Sequence, residues 1–402
     1  MIRNQNNLPF QSTPFNLKQT NTKNIVKPQV NKKTPDTQLP RFLNYYADYS
    51  GCGHWRMIWP EQVMNAHNKA VVHGTTVMNL DIRSYTQAKA VRIQRQATPN
   101  QLEFVKWLRK LADQQGFRII YEIDDICFHE DIPDYNKYKT AFTDPKIRQS
   151  SQAIMEMCDE MTVTCPFMRD YYASKTNNKN VTVIPNFMPK FWIGGKSDIN
   201  RTMESYEKNK RKPRILYAGS GAHFDVENRT KFRDDFEHVN QVIRQTVDKY
   251  QWVFMGAHPL PIRDLIQNGK VEFHPWKRLY EYSQGLYDLN VNMVVAPLQD
   301  STFNRAKSDL KYIEACALGL PIACQDMCTY ENAPIKFTTG DEMIDQINTT
   351  LSDRKRYKAL CKKASQYADT RWLEDDKNID CYVEMYQYGI DDPRRVNLSR
   401  YN

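Results

Sequence analysis

No apolar run in the sequence approaches the roughly 18 residues that a helix needs to cross a bilayer, so no stable membrane insertion is expected. The opening residues, MIRNQNNLPFQ, contain no apolar segment of the kind that heads a secretion leader, and none is expected. The nine cysteines, at 52, 127, 158, 165, 316, 324, 328, 361 and 381, form no CxxC pair. Cys324 and Cys328 come nearest and have no histidine close by, so free thiols in a reducing cytoplasm are expected rather than zinc or disulfides. A GxxxxGK phosphate loop is missing, which argues against an ATPase. Acids are scarce at the start: residues 1–40 hold only Asp36 against six basic residues, with five prolines, seven asparagines and five glutamines. That stretch reads as a basic, flexible N-terminal tail without a core of its own.

The rest has the composition of a globular protein, with 41% hydrophobic and 26% charged residues and 40 tyrosines and phenylalanines among 402 residues. Such a length suits two or three domains. The net charge of +9 favours phosphate-rich partners, nucleic acid or nucleotide, without choosing between them.

Folded sequence begins at RFLNYYADYSGCGHWRMIWP (41–60), which reads as strand, glycine loop, helix. In LEFVKWLRKLADQQG (102–116), Leu102, Val105, Leu108, Leu111 and Ala112 share one helical face and Gly116 ends it. FRIIYEIDD (117–125) is a short apolar strand closing on carboxylates, as in a parallel sheet buried on both faces. Strands at 160–165 and 180–187 follow, with helices between. Residues 196–213 lose periodicity and turn basic, as an interdomain linker would. A second alternating series then has strands at 214–220, 250–257, 270–276, 291–298 and 320–326. The expected fold is α/β: an N-terminal Rossmann-like domain at 41–195 and a C-terminal one at 214–390, facing across a cleft, with a tail at 391–402. The helices of 341–390 are expected to finish the second unit, with a crossing back to the first left open.

The run APLQDSTFNRAKSDLKYIEACALGLPIACQD (296–326) resembles the donor-binding segment of retaining glycosyltransferases of the two-Rossmann-domain (GT-B) type, family four in the usual classification. The resemblance spans about 41–390 and includes the SGCGHWR loop, the YEIDD strand end, VIPN and RILYAGSGAH. Many members carry two glutamates seven residues apart, where this sequence has Ala306 and Glu314. Subgroups with an FN-x-x-KS-x-x-K pattern, phage enzymes among them, are more similar. The resemblance implies a UDP-sugar donor, no further cofactor and no metal.

On the residues alone, Asn304-Arg305-Ala306-Lys307-Ser308 precedes an amphipathic helix whose N–H groups and dipole favour an anion. Arg305 and Lys307 would neutralise a leaving diphosphate, with Asn304, Ser308, Asp309 and Leu310 lining the same donor segment. Glu314 would accept hydrogen bonds from a ribose diol. Gly51 and Gly53 let a backbone approach phosphate at the first strand end, and Gly219 and Ser220 hold the equivalent place in the second domain. In enzymes of the resembling type, Pro275 and Trp276 stand where the base is sandwiched. Glu122, Asp124 and Asp125 end an apolar strand. Asp124 and Asp125 should point to opposite faces, one orienting the sugar or deprotonating the acceptor and the other capping the next element. A metal at this acidic pair is the alternative. His54 and His223 each follow a glycine loop, and with Arg56, Arg92 and Arg95 are candidate phosphate or acceptor contacts.

The leading expectation is therefore retaining transfer from a UDP-sugar, the acceptor being 5-hydroxymethylcytosine in double-stranded phage DNA, located in the cytoplasm of an infected host. A glucose- or arabinose-type sugar is what the resemblance implies. Further phosphate contacts would be Arg109 and Lys110, and Lys208, Lys210, Arg211 and Lys212 of the linker. The alternatives are a glycan acceptor and a non-catalytic basic DNA-binding protein.

Overall fold

The computed structural model describes residues 39–401, so nearly all of the expected basic tail, 1–40, lies outside the described residues. Two six-stranded sheets, every ladder parallel, organise the described residues. The first is built from β1 (Arg41–Tyr45), β2 (Val71–Thr75), β3 (Ala88–Gln94), β4 (Arg118–Glu122), β5 (Glu160–Val163) and β6 (Val181–Val183), in the order β2-β1-β3-β4-β5-β6. The second is built from β7 (Arg214–Gly219), β8 (Gln251–Gly256), β9 (Glu272–Pro275), β10 (Met293–Ala296), β11 (Ile322–Gln325) and β12 (Lys336–Phe337), in the order β9-β8-β7-β10-β11-β12. That second order is the one found in dinucleotide-binding sheets. It reverses between β7 and β10, and a crevice opens there beyond the strands' carboxyl ends. In the first sheet the equivalent reversal lies between β1 and β3.

Local chemistry explains the elements. The helix Pro99–Gln115 starts three residues earlier than its apolar face suggests, because Thr98 and Gln101 form a reciprocal capping box and Pro99 suits the first turn. Gly116, at φ +80°, ends it. Strands β2 and β3 are absent from the sequence reading, since Arg92 and Gln94 interrupt the apolar run of β3 although both side chains are fully buried.

Arg92 has a partner that explains its burial. Glu122, at the end of β4, receives Arg56 Nε at 2.6 Å and also bonds Arg92 and the Thr162 hydroxyl. Arg56 further donates to the Ile184 carbonyl at 2.7 Å and to Asn186 Oδ1 at 2.9 Å. Arg56, Arg92 and Glu122 are therefore an internal cross-tie between β3, β4, β5 and the glycine-loop helix. They are not the phosphate, acceptor or sugar contacts that the sequence suggested. Buried charges persist only when paired and hydrogen-bonded in this way.

The expected linker contains a helix, Ile199–Lys208. Its Met203 and Tyr206 join the second domain's core, and a narrow apolar face among many charged residues is what hid it. Nor are the described residues of the expected C-terminal tail, 391–401, loose. Arg395 is buried and donates to both Glu160 oxygens, at 2.8 and 2.6 Å, and Leu398 is fully covered. The helix Asp376–Gln387 crosses back to the first domain, where Tyr386 stacks on Phe42 with ring centroids 4.4 Å apart.

Burial alone would raise the Glu122 carboxyl, but Arg56 and Arg92 hold it below the usual range. Its folded value is thus below its unfolded one. The stabilisation is complete above about pH 4.3 and is lost as pH falls through the folded value. Glu122→Gln, which leaves two buried guanidinium groups without their anion, should destabilise the first domain by about 3–5 kcal/mol. Urea titration followed by fluorescence checks this; an unchanged first midpoint would refute it.

Candidate functional site

The second domain's crevice is bounded by the turn after β7, residues 219–223, and by the segment 297–310 after β10. Gly219 ends β7 where there is no room for a side chain, since a Cβ would stand 2.9 Å from Lys311 Nζ and 2.6 Å from the Tyr217 hydroxyl. Ser220 caps the following turn by accepting the Ala222 N–H at 3.3 Å. Lys311, the second residue of the helix Leu310–Ala317, donates to the Ala218 carbonyl at 2.9 Å and lies over the Tyr217 ring. Burial lowers its ammonium below the ordinary lysine value. Lys311 was not singled out from the sequence, although it is the last residue of the FN-x-x-KS-x-x-K pattern that signals it.

Asp235 binds this crevice together. Its Oδ2 lies 2.6 Å from His223 Nδ1. Its Oδ1 receives the Gln299 N–H at 2.9 Å, Asn304 Nδ2 at 2.7 Å and, from the first domain, the Tyr135 hydroxyl at 2.8 Å. Asn304 also donates to Tyr135 at 3.0 Å and to the Gln299 carbonyl at 2.9 Å. Fully buried, Asn304 shapes the loop and does not line the cleft as a donor contact. The first-domain segment 133–139 thus forms a strap over the crevice, and its Lys137 lies against Gly221.

From the first domain, Asp125 reaches across to Lys307, Oδ2 to Nζ 2.8 Å. Strand β4 stops at Glu122, so Asp124 and Asp125 are loop residues and the expected strand alternation does not apply. Asp125 caps Ile126 with its other oxygen at 3.0 Å, whereas Asp124 is held 3.7 Å from Arg95. Arg95 is committed to Asp48 at 2.7 Å, and Asp48 also receives the Gly53 N–H at 3.3 Å, fixing the Gly51–Gly53 turn. Ser308 accepts from Asn186 Nδ2 at 3.0 Å, a second tie between the domains. Ala306 is fully buried in the first domain's core, and its carbonyl faces the Cys165 thiol. A glutamate there would carry a carboxylate into apolar surroundings, which accounts for the alanine.

Trp276 is 55% exposed. It covers Gly256, whose φ is +97° and whose Cβ would fall 2.2 Å from the indole, and it stacks on Tyr282 with centroids 5.2 Å apart. Pro275 closes β9 just before it. His54 sits between Trp59 and the exposed Tyr280, with its Nδ1 2.9 Å from the Ser50 carbonyl.

Three expected donor contacts are engaged elsewhere. Arg305 is half exposed and bound at 2.6 and 2.7 Å by Asp300, so it is not brought to Lys307 and Lys311. Asp309 accepts from Arg371 at 2.8 Å and Tyr367 at 2.9 Å. Glu314 is buried behind Lys311, accepts from Tyr282 at 3.3 Å, and is pushed up to about 7 by burial. Leu310 packs half-buried against the core. Among the described residues, no group of three or more histidine, cysteine or acidic side chains is placed to hold a metal ion.

No protein-family model matches the chain, and no curated protein matches it by sequence. Solved structures do. Anabaena Alr3699/HepE in complex with UDP aligns over 86% of this chain and 98% of its own, at 10% identity and a TM-score of 0.57. The same protein in complex with UDP-glucose aligns over 87% and 99%, at 9% identity and a TM-score of 0.57. The chain has the GT-B fold. In this GT-B chain the crevice between β7 and β10 faces the first domain, with the strap, Lys307 and Asp125 joining the two.

Tyr135→Phe removes the hydroxyl shared by Asp235 and Asn304, at a cost of about 1–3 kcal/mol. Amide exchange at 133–139 should accelerate, as measured by mass spectrometry. Unchanged exchange would show that other contacts hold the strap.

Proposed function

We propose that the chain is a glycosyltransferase that takes a sugar from a UDP-sugar with retention of configuration and delivers it to 5-hydroxymethylcytosine in double-stranded DNA. The observation that carries the donor half is the convergence of Gly219, His223, Lys307, Lys311 and the helix beginning at Leu310 on the crevice between β7 and β10. Ammonium groups and a helix N-terminus stabilise a departing diphosphate. The likeness to a protein crystallised with UDP and with UDP-glucose supports the same reading. With no nucleophile assigned, the departing phosphate itself accepts the proton of the attacking hydroxyl. Trp276, exposed over Gly256, supplies a stacking face for the base.

The acceptor half rests on charge. The net +9 and the exposed Lys208, Lys210, Arg211 and Lys212 suit a phosphate backbone, and Lys110 is also exposed. Arg109 is drawn into pairs with Asp113 and Asp159 and contributes less. A hydroxymethyl group reaches a sugar held between two domains only if its nucleotide leaves the stack.

Incubation with a panel of UDP-sugars and hydroxymethylated duplex, followed by nucleoside mass analysis, tests this directly. A glycosylated nucleoside is the expected product. Turnover of donor with glycan acceptors alone would replace the DNA reading with a glycan one. Lys307→Ala should weaken UDP binding by about 1–3 kcal/mol, measured by calorimetry; unchanged affinity would remove Lys307 from the site. Activity should survive EDTA, because Lys307 and Lys311 supply the positive field a metal would otherwise provide. Loss restored by manganese would instead make Asp124 and Asp125 ligands.

A further inference from the structure

His223 carries a proton site that the donor contacts described so far leave unused. Its Nδ1 faces Asp235 Oδ2 at 2.6 Å, and the other oxygen of Asp235 already receives three donors. An ionised carboxylate has only lone pairs to offer, so Nδ1 bears the hydrogen and Nε2 is the ring position left to titrate. The charged and titratable groups around the ring come from several elements. They are Asp235, the ammonium groups of Lys311 and Lys307, the Tyr217 ring edge-on at 6.4 Å, and Lys137 of the strap beside Gly221. Burial and the two neighbouring lysines hold the imidazole below its ordinary value, against the pull of Asp235. Held below its ordinary value, the ring is neutral near neutral pH.

We propose that His223 takes up a proton when a nucleoside diphosphate enters the crevice, its Nε2–H then donating to a phosphate oxygen. The inference rests on the UDP-sugar reading and deepens it. A diphosphate between Lys307 and Lys311 replaces the positive field at the ring with a negative one, which favours the imidazolium. The site thereby gains a third cation, beside Lys307 and Lys311, only while an anion is present to balance it. Asp235 acts as the positioning residue, because it fixes which nitrogen is left to receive the proton.

Calorimetry of UDP binding near pH about 7.5, in buffers of different ionisation enthalpy, reads the protons exchanged. The wild-type chain should take up a sizeable fraction of one proton, and UDP affinity should rise as pH falls from about 8.5 to 6.5, by up to about tenfold per unit. His223→Gln keeps a hydrogen-bonding group and cannot titrate, so the uptake should vanish and the pH dependence flatten. UDP's own terminal phosphate contributes alike to both proteins, so the difference isolates the ring. His223→Asn serves if the glutamine variant misfolds, and the wild-type series stands without either. UDP binding with no proton uptake, or uptake that persists in the variant, would overturn the assignment to His223 and leave the donor reading intact. Failure of the wild-type chain to bind millimolar UDP would overturn the donor reading itself.

Discussion

A carboxylate removed from water must be satisfied on every lone pair, and at Asp235 this requirement organises the crevice. Its partners are His223 from the turn after β7, the Gln299 N–H and Asn304 from the segment after β10, and Tyr135 from the other domain. Each would cost free energy if withdrawn, because the charge would be left buried and short of donors. One side chain therefore sets the tautomer of the histidine, the shape of the 299–304 loop and the seating of the strap. The rest of the proposed donor site stands on that arrangement.

The segment 302–308 belongs to both domains. It follows β10 of the second sheet, yet Phe303 and Ala306 pack in the first domain's core, and Lys307 and Ser308 are held by Asp125 and Asn186. Positive charge at the crevice is consequently shared. Lys311 is anchored wholly within the second domain, while Lys307 answers to a carboxylate on the opposite wall. A ligand that draws Lys307 toward itself competes with Asp125, so ligand occupancy of the crevice and contact between the domains are energetically linked.

The alternation of strands and helices was legible because parallel strands buried on both faces leave short apolar runs, as at β4, β7 and β10. Strand β3 was not, because Arg92 and Gln94 look like surface residues until Glu122 is placed beside them in space. The same blindness made Arg56 and Arg92 look available to a ligand. Sequence spacing marked the segment around Lys307 but could not show that Arg305 turns to Asp300 while Lys311 turns inward. Asp235 left no local trace at all, since its partners lie 12 to 100 residues away in the chain.

The chain passes between the domains twice, once after β6 and once ahead of the helix Asp376–Gln387. The two passages are stitched side by side, the Met188 N–H to the Arg371 carbonyl at 2.8 Å and the Leu373 N–H to the Met188 carbonyl at 2.7 Å. Mechanically this is a double-stranded hinge. A twist of one domain against the other shears both bonds, whereas a rocking motion about the stitched point leaves them whole. Opening at the crevice would part the strap's bonds to Asp235 and Asn304 and the Lys307–Asp125 pair, together with the Phe303 and Ala306 packing and the Asn186–Ser308 bond of the shared segment.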